Sequence, residues 1–202
     1  MSIVTWERER PLVNPMANAR PVLASIATVV IASVFISLTA QPEVRVGPVP
    51  FSLQTLSVLL VGAALGSRLG FAAVSLYVMQ GLAGLPVFSG GNGGWTYFAA
   101  APSAGYIVGF AFAAFAVGWL AEHGWSRHVL TVAAAMVIGN IVIYVFGVVR
   151  LSDFVGWDGV WEFGVRPFLA GDAIKIAIAA GLLPAAWKLR GVLFGVGGKP
   201  GV

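Results

Sequence analysis

The run from Arg166 to Leu183 reads Arg166-Pro-Phe-Leu-Ala-Gly-Asp172-Ala-Ile-Lys175-Ile-Ala-Ile-Ala-Ala-Gly-Leu-Leu183, an apolar stretch interrupted by two opposite charges. On an α-helix, positions three residues apart lie on one face, so Asp172 and Lys175 point the same way. An ionisable side chain inside a bilayer is costly and normally faces a cavity or a charged partner. The run therefore predicts a membrane-spanning helix whose charged face either binds a ligand or forms an ion pair with a structural role.

The composition of the whole chain is that of a membrane protein. Of the 202 residues, 58% are hydrophobic and 10% are charged, and the mean hydropathy is +0.90. A soluble domain carries about 25% charged residues. The net charge of +4 comes from basic residues scattered beside apolar runs, which disfavours nucleic-acid binding. The chain has no cysteine, which excludes thiol catalysis and disulfides, and we expect neither a metal nor a cofactor.

Apolar segments separated by turn residues predict the fold class. About 20 apolar residues cross a bilayer, and six segments of the chain are candidates. We predict an all-α integral membrane protein with six transmembrane helices in one bundle. The second and third spans follow each other so closely that they must form a tight hairpin, and both are short enough to be tilted or broken. The predicted spans are residues 21–40, 51–66, 69–85, 97–120, 129–149 and 167–187.

The distribution of lysine and arginine predicts the orientation in the membrane. One face, with the two termini, Arg68 and Arg127, carries eight basic residues, and the other carries three: Arg45, Arg150 and Arg166. Basic residues accumulate on the cytoplasmic side, so both termini are predicted to be cytoplasmic. The predicted divisions are a cytoplasmic segment (1–20), a membrane domain with external ligand-binding loops (21–187) and a cytoplasmic tail (188–202), with outer loops at 41–50, 86–96 and 150–166.

The loop after the third span combines glycines with aromatic side chains. It reads Gly84-Leu-Pro-Val-Phe88-Ser-Gly90-Gly91-Asn92-Gly93-Gly94-Trp95-Thr-Tyr97. Glycines let the backbone fold tightly and approach a ligand closely, and aromatic rings offer flat packing surfaces. Linkers favour serine and other polar residues, so this composition favours a lid or a pocket wall over a linker.

Seven short motifs occur in the order and at the spacing of a known family. They are residues 49–55 (VPFSLQT), 62–70 (GAALGSRLG), 81–88 (GLAGLPVF), the glycine-rich loop, 102–110 (PSAGYIVGF), 139–147 (GNIVIYVFG) and 167–175 (PFLAGDAIK). With these motifs the chain resembles, from about Val49 to Trp187, the BioY family of biotin-specific substrate-binding components of energy-coupling-factor (ECF) transporters. One departure is Ala101-Pro102-Ser103, where the family usually has Gly-Pro-Thr. Serine retains the hydroxyl group.

The resemblance implies a six-helix protein of the cell membrane that holds one biotin near the external face. It also implies partners, namely a transmembrane coupling protein and two cytoplasmic ATPase subunits, and leaves a homo-oligomer open. The chain contains no GxxxxGK[ST] phosphate loop, so any ATPase must be another chain. We therefore expect a transport component and no enzyme.

The chemistry of biotin fits residues in these motifs. Its ureido ring has two N–H donors and a carbonyl acceptor, and its tail ends in a carboxylate. Asp172 can accept from the ureido N–H groups, whereas Lys175 can donate either to the ureido carbonyl or to the carboxylate. Tyr106 and Asn140 have an alternative role at helix interfaces. The predicted substrate-binding residues are Asp172, Lys175, Asn140, Tyr106, Asn92, Phe88, Trp95 and Gly91.

A stripe of small residues on the first span is the candidate partner surface. Ala24, Thr28 and Ala32 recur every four residues, and small side chains allow close approach between helices in a membrane. The stripe could equally pack inside the bundle. The family resemblance favours docking of the coupling protein.

Three other functions are compatible with parts of the sequence. A stand-alone proton-coupled permease for biotin or a similar small carboxylate would also place a carboxylate and a lysine at membrane depth. An intramembrane enzyme would need a base beside its nucleophile, and no GxSxG motif occurs. A purely structural protein would leave the glycine-aromatic loop without a purpose.

Overall fold

The structure of the chain is a computed structural model that describes residues 11–14, 20–45 and 47–194. Residues 1–10, 15–19, 46 and 195–202 lie outside the described residues, and they include parts of the predicted N-terminal segment, of the first predicted outer loop and of the predicted tail. The fold is all-helical, with 82% helix. The helices are α1 (Pro21–Ala40), α2 (Gln54–Leu82), α3 (Trp95–Ala100), α4 (Ala104–Leu120), α5 (Val129–Val160) and α6 (Arg166–Phe194).

Within the described residues, four helical stretches are long and apolar enough to cross a membrane. The sequence predicted six spans. Two of the four stretches contain a sharp break in the helix, at Gly66 in one and at Gly156 in the other. The helix predicted at residues 21–40 is present with the same bounds. The four stretches are Pro21–Ala40, Gln54–Leu82, Ala104–Trp125 and Val129–Val192.

Helix α2 turns back on itself at Gly66, where φ is 82° and ψ is 178°. A straight helix would hold Gln54 and Tyr77 about 35 Å apart, yet the Gln54 side-chain amide donates a hydrogen bond to the Tyr77 hydroxyl. After the turn, the backbone N–H and the hydroxyl of Ser67 both donate to Glu122 Oε1, at 2.8 and 2.9 Å. The tight hairpin predicted between spans two and three is therefore present, with its corner at Gly66.

Helices α5 and α6 are antiparallel neighbours. Tyr144 of α5 donates a hydrogen bond to Asp172 of α6 across a separation of 28 residues, which a continuous helix would stretch to about 42 Å. Helix α5 extends beyond the predicted end of span five, and residues 150–166, predicted as an outer loop, are helical. The break comes at Gly156, where φ is 71° and ψ is 164°.

The other two outer segments contain short ordered elements. Strands β1 (Glu43–Arg45) and β2 (Pro50–Ser52) pair in an antiparallel hairpin, with Val44 opposite Phe51. Beyond the glycine-rich loop, α3 ends before Ala101 and α4 begins only at Ala104. Span four, predicted from residue 97, is thus interrupted, because the ring at Pro102 fixes φ and removes a backbone donor.

Close backbone packing of α2 against α4 forms the centre of the core. A Cβ atom at Gly62 would lie 2.5 Å from the Ala114 carbonyl oxygen, and one at Gly118 would lie 2.5 Å from the backbone of Gly66. Glycine at these positions lets the helices touch, as is common in membrane bundles. Helix α1 is peripheral and keeps large apolar side chains exposed, among them Val22 at 70% and Ile31 at 69%.

Candidate ligand-binding site

A cavity of about 50 Å³ lies between β2, the start of α2, α4, α5 and α6. We call it the inner cavity. Its walls combine apolar surface with polar and charged side chains that can fix the orientation of a small molecule. The lining residues are Val49, Pro50, Ser52, Gln54, Thr55, Ser89, Tyr97, Ser103, Tyr106, Ile107, Phe110, Asn140, Ile143, Tyr144, Phe168, Asp172 and Lys175.

Asp172 and Lys175 both line this cavity and form an ion pair. Each residue is 6% exposed, and Lys175 Nζ lies 3.5 Å from Asp172 Oδ1. The pair follows from the spacing of three residues on α6, which places both side chains on the helix face that meets the cavity. Because a lone charge at this depth would be very costly, each charge stabilises the other.

Neighbouring helices hold both charged groups from the sides. The Tyr144 hydroxyl donates to Asp172 Oδ2, and Lys175 Nζ donates to Thr55 Oγ1 at 2.7 Å. The ammonium group also lies 4.3 Å from the centre of the Phe51 ring, a cation–π distance. The ion pair is thus fixed by α5 on one side and by the β2–α2 segment on the other.

Asn140 and Tyr106, the other two predicted site residues in the helices, line the same cavity. Asn140 is 8% exposed and offers both a donor and an acceptor. The Tyr106 hydroxyl donates to the Gly164 carbonyl oxygen at 2.9 Å. Its ring occupies the space that a side chain at Gly147 would need, so glycine at 147 admits the ring into the interface between α4 and α5.

The four predicted site residues of the glycine-rich loop are not among the residues lining the inner cavity. Phe88 is fully buried and packs against Tyr77 and Gly81, where a side chain would collide with its ring. Asn92 Nδ2 donates to the Ser89 carbonyl oxygen at 2.6 Å and so braces the loop. Trp95 is 66% exposed, and Gly91 is exposed with φ of 76°. Ligand contact by these four residues stays a prediction.

Ser89 is the residue by which this loop reaches the cavity. It is 4% exposed, and its hydroxyl oxygen and Glu43 Oε2 are both buried without a hydrogen bond in the described part of the chain. The two groups do not meet hydrogen-bond geometry. Even so, the nearby Ser89 hydroxyl and the Arg45 guanidinium lower the pKa of the Glu43 carboxyl group, whereas burial acts in the opposite direction. The β1–β2 hairpin and the glycine-rich loop therefore meet through Glu43 and Ser89.

Sequence reasoning did not single out four residues that complete the polar and aromatic lining. Tyr144 lies one turn after Asn140 on the same face of α5, so helical spacing was the signal that pointed to it. Gln54 and Thr55 lie in the first motif, residues 49–55, where the sequence pattern indicates only the start of a membrane span. Phe168 stacks on Phe51 with ring centres 5.9 Å apart, a contact that depends on how α6 meets β2.

The small-residue stripe on α1 lies partly in an apolar groove. Thr28 and Ala32 line this groove together with residues of α2 and α6, and Ala32 is only 8% exposed. Ala24 is half-buried and is not among the groove residues. Whether the stripe docks a partner stays a prediction.

The chain matches a known protein family. Residues 11–191 match the family described as "BioY family". The chain is similar to "Biotin transporter BioY" of Rhizobium etli, with 39% identity over 165 residues that cover 77% of this chain and 88% of the relative. It is also similar to "Probable biotin transporter BioY" of Pyrococcus horikoshii, with 37% identity covering 73% of this chain and 88% of the relative.

The fold also resembles a solved structure, described as the S-component for biotin from an ECF-type ABC transporter. The TM-score is 0.72 at 24% sequence identity, and the match covers 85% of this chain and 94% of the other. At this level of identity the likeness shows a common fold.

Proposed function

Because this chain belongs to the BioY family, we propose that it is the biotin-binding membrane component, or S component, of an ECF-type transporter. It serves biotin uptake and is a multi-pass membrane protein, and its relatives are transporter components, so it is not an enzyme. The binding site, the number of spans and the partners that we propose for this chain rest on this membership.

The buried ion pair at the inner cavity is the observation that carries the proposed binding site. Asp172 accepts and Lys175 donates, and the two groups lie 3.5 Å apart at the cavity wall. The ureido ring of biotin has the complementary combination of N–H donors and a carbonyl acceptor. Asn140 adds a second donor and acceptor, and the rings of Tyr106 and Phe168 give the apolar thiophane ring a packing surface.

The proposed membrane arrangement has six spans. They are α1, the two arms of α2 on either side of Gly66, α4, α5 and α6. The turn at Gly66 and the antiparallel pairing of α5 with α6 support this count. The distribution of basic residues supports cytoplasmic termini in the inner, or cytoplasmic, membrane, with the β1–β2 hairpin and the glycine-rich loop outside.

The proposed partners are a transmembrane coupling protein and two cytoplasmic ATPase subunits. The chain has no phosphate-binding loop of its own, so ATP hydrolysis must come from another subunit. The position of α1 supports docking of the coupling protein at the lipid-facing side of this helix. Helix α1 lies at the edge of the bundle and presents the small side chain of Ala24 between exposed apolar residues.

Uptake and binding measured on the same chain test this function. Cells that lack other biotin transporters should accumulate labelled biotin when they produce this chain with its coupling protein and ATPases, and an ATPase variant without its phosphate-loop lysine should abolish that uptake. Collapse of the proton gradient at constant ATP should leave uptake intact. Uptake that follows the proton gradient and ignores the ATPases would identify a proton-coupled permease instead.

A further inference from the structure

The apolar groove beside α1 is separate from the inner cavity and has a volume of about 570 Å³. Helix α1 packs on α2, whereas α6 packs on α5 and α2. The groove is therefore the space that remains between α1 and α6, above the first arm of α2. Its lining residues are Leu12, Val13, Thr28, Ile31, Ala32, Phe35, Leu60, Val61, Ala64, Leu65, Leu182, Leu183 and Ala186.

The groove has a buried floor and an exposed rim, and both are apolar. Val61 and Leu183 belong to the buried floor, whereas Ile31 at the rim is exposed. Among the described residues of the lining, Thr28 alone has a polar side chain, and its hydroxyl donates to the Ala24 carbonyl oxygen at 2.8 Å. Because a water molecule needs several polar partners to stay in a cavity, the occupant of this groove must be apolar.

The groove lies at the depth of the hydrocarbon in the proposed membrane arrangement. Thr28 and Phe35, which line one side of it, stand in the middle of α1, and α1 is at the edge of the bundle. The hydrocarbon region contains no water, and lipid tails are as apolar as leucine. An acyl chain of a lipid therefore has the chemistry and the access that the groove requires.

An arginine stands at the end of the groove on the proposed cytoplasmic side. Arg190 lies one turn beyond Ala186 on the same face of α6, and its Nη1 donates to the Pro11 carbonyl oxygen at 3.1 Å, next to Leu12 of the lining. The guanidinium also lies 5.2 Å from the centre of the Trp187 ring. The side chain is half-buried and forms no ion pair with the described residues, so its Nε and Nη2 donors remain available to an anion.

The other two helices of the groove also carry cations at this end. Arg20 directly precedes α1, Arg68 follows the corner of α2 at Gly66, and both are exposed. One carboxylate, that of Glu122, lies at the same corner and accepts two hydrogen bonds from Ser67. Positive charge thus exceeds negative charge at the mouth of the groove. Anionic lipid head groups are attracted to such basic sites on the cytoplasmic side of a membrane.

We infer that the apolar groove binds an anionic phospholipid of the cytoplasmic leaflet, with an acyl chain along the groove and the phosphate group at Arg190. The planar guanidinium can donate two parallel hydrogen bonds to phosphate oxygens. The inference rests on the proposed membrane arrangement and does not depend on what binds in the inner cavity. Its failure would leave biotin binding unaffected, so the two can be tested separately.

Phosphatidylglycerol and phosphatidylcholine can carry the same acyl chains, so comparing them isolates the charge of the head group. We expect native mass spectrometry of the detergent-purified chain to show tighter binding of phosphatidylglycerol. Arg190→Gln should weaken that binding about tenfold and leave phosphatidylcholine unchanged, because hydrogen bonds to a charged group are lost. Arg190→Lys, which keeps the charge, should retain part of the preference. Ala186→Trp, which places a large ring in the groove, should weaken the binding of both lipids.

Lys188→Gln is the matched control. Lys188 is an exposed cation two residues before Arg190, so it points about 200° away around α6. Its replacement removes the same charge from the other side of the helix and should leave the preference for phosphatidylglycerol intact. Thermal unfolding of each variant in detergent without added lipid shows whether the variant is folded when lipid binding is measured.

Four results would overturn the inference. They are equal binding of the two lipids by the original chain, a preference that survives Arg190→Gln, and an equal loss of preference in Lys188→Gln, which would indicate a general attraction of anionic lipids to a basic surface. The fourth is binding of soluble glycerol 1-phosphate as tight as that of the lipid, which would show a phosphate site without a role for the groove.

The coupling protein is the competing occupant of the groove. If Ala186→Trp keeps its lipid binding but loses co-purification with the coupling protein, the groove is a protein-docking surface and the lipid site is refuted. Retained co-purification together with weakened lipid binding is the result that the inference predicts.

Discussion

Tyr144 on α5 donates its hydroxyl hydrogen to Asp172 on α6, and this contact joins two helices at the wall of the inner cavity. Asp172 also pairs with Lys175, so the two oxygens of its carboxylate have different partners. Tyr144 therefore acts as a positioning residue, since it fixes the direction in which the carboxylate faces the cavity.

Replacing Tyr144 by phenylalanine should weaken biotin binding about tenfold, because a hydrogen bond to a charged group is lost and the carboxylate is freed to rotate. Thr39→Val is the comparison. It removes a hydroxyl that bonds to the neutral Ser57 side chain at 2.7 Å, and neither residue lines the cavity. Titration calorimetry should show the larger affinity loss for Tyr144→Phe, and equal losses would speak against a positioning role.

The turn at Gly66 should tolerate no side chain. Its φ of 82° is strained for any other residue, and a Cβ atom there would lie 2.6 Å from Glu122 Oε1, which caps the following arm. We expect Gly66→Ala to destabilise the protein by about 1–3 kcal/mol. Gly181→Ala is the control, because Gly181 is helical with open space around its Cα. Thermal unfolding in detergent that is unchanged by Gly66→Ala would contradict the turn.

Acid should loosen the contact between the β1–β2 hairpin and the glycine-rich loop. The pKa of Glu43 is lowered from its ordinary value of 4.5 by the Ser89 hydroxyl and by Arg45. A carboxyl group with a lowered pKa stabilises the folded state above its unfolded pKa, and that contribution disappears as the pH falls through the folded value. The stability of the folded protein should therefore fall below about pH 4.5, and less so in Glu43→Gln, when thermal unfolding in detergent is followed across pH 3 to 7. An identical acid response in Glu43→Gln would exclude Glu43 as the group that titrates.

Docking of the coupling protein should be sensitive to bulk at Ala24. Ala24→Leu should abolish co-purification with the coupling protein and ATP-driven uptake while leaving biotin affinity unchanged. Ala32 is a poorer test because it is buried in the apolar groove, where leucine would overpack the bundle. Ala27→Leu makes the same change at an exposed position about 100° around the helix from Thr28 and should have little effect. Full co-purification of Ala24→Leu would refute the docking role.

Apolar length and turn residues were enough to predict most of the helices. The bounds of α1 followed from its 20 apolar residues and the polar segments on either side. The hairpin of α2 was predicted because only Ser67 and Arg68 separate two apolar runs. Residues 150–166 were predicted as a loop from their charges and tryptophans, and their helical structure could not be inferred because an amphipathic helix at a membrane surface has the same composition.

Some contacts in the candidate site follow from local sequence spacing, and others depend on how the helices pack together. Asp172 and Lys175 share a face through their own spacing, so the sequence alone brought them together. Thr55 and Tyr144 reach them only because α2 and α5 pack beside α6, and no local pattern contains that information. Phe88 belongs to a loop whose composition is typical of a pocket wall. Its ring packs into the core because Gly81 on α2 has no side chain in the space that the ring occupies.

Isothermal titration of biotin into the purified chain and into variants of the Asp172–Lys175 pair is the most direct test of the proposed site. We expect the original chain to bind biotin tightly and Asp172→Asn to lose about 2 kcal/mol or more of binding free energy, because a charge-assisted acceptor is removed. Lys175→Met should also weaken binding. The double variant should recover folding stability, since no buried charge is left alone, without recovering affinity. Unchanged biotin affinity in both single variants would contradict the assignment of this ion pair to the binding site.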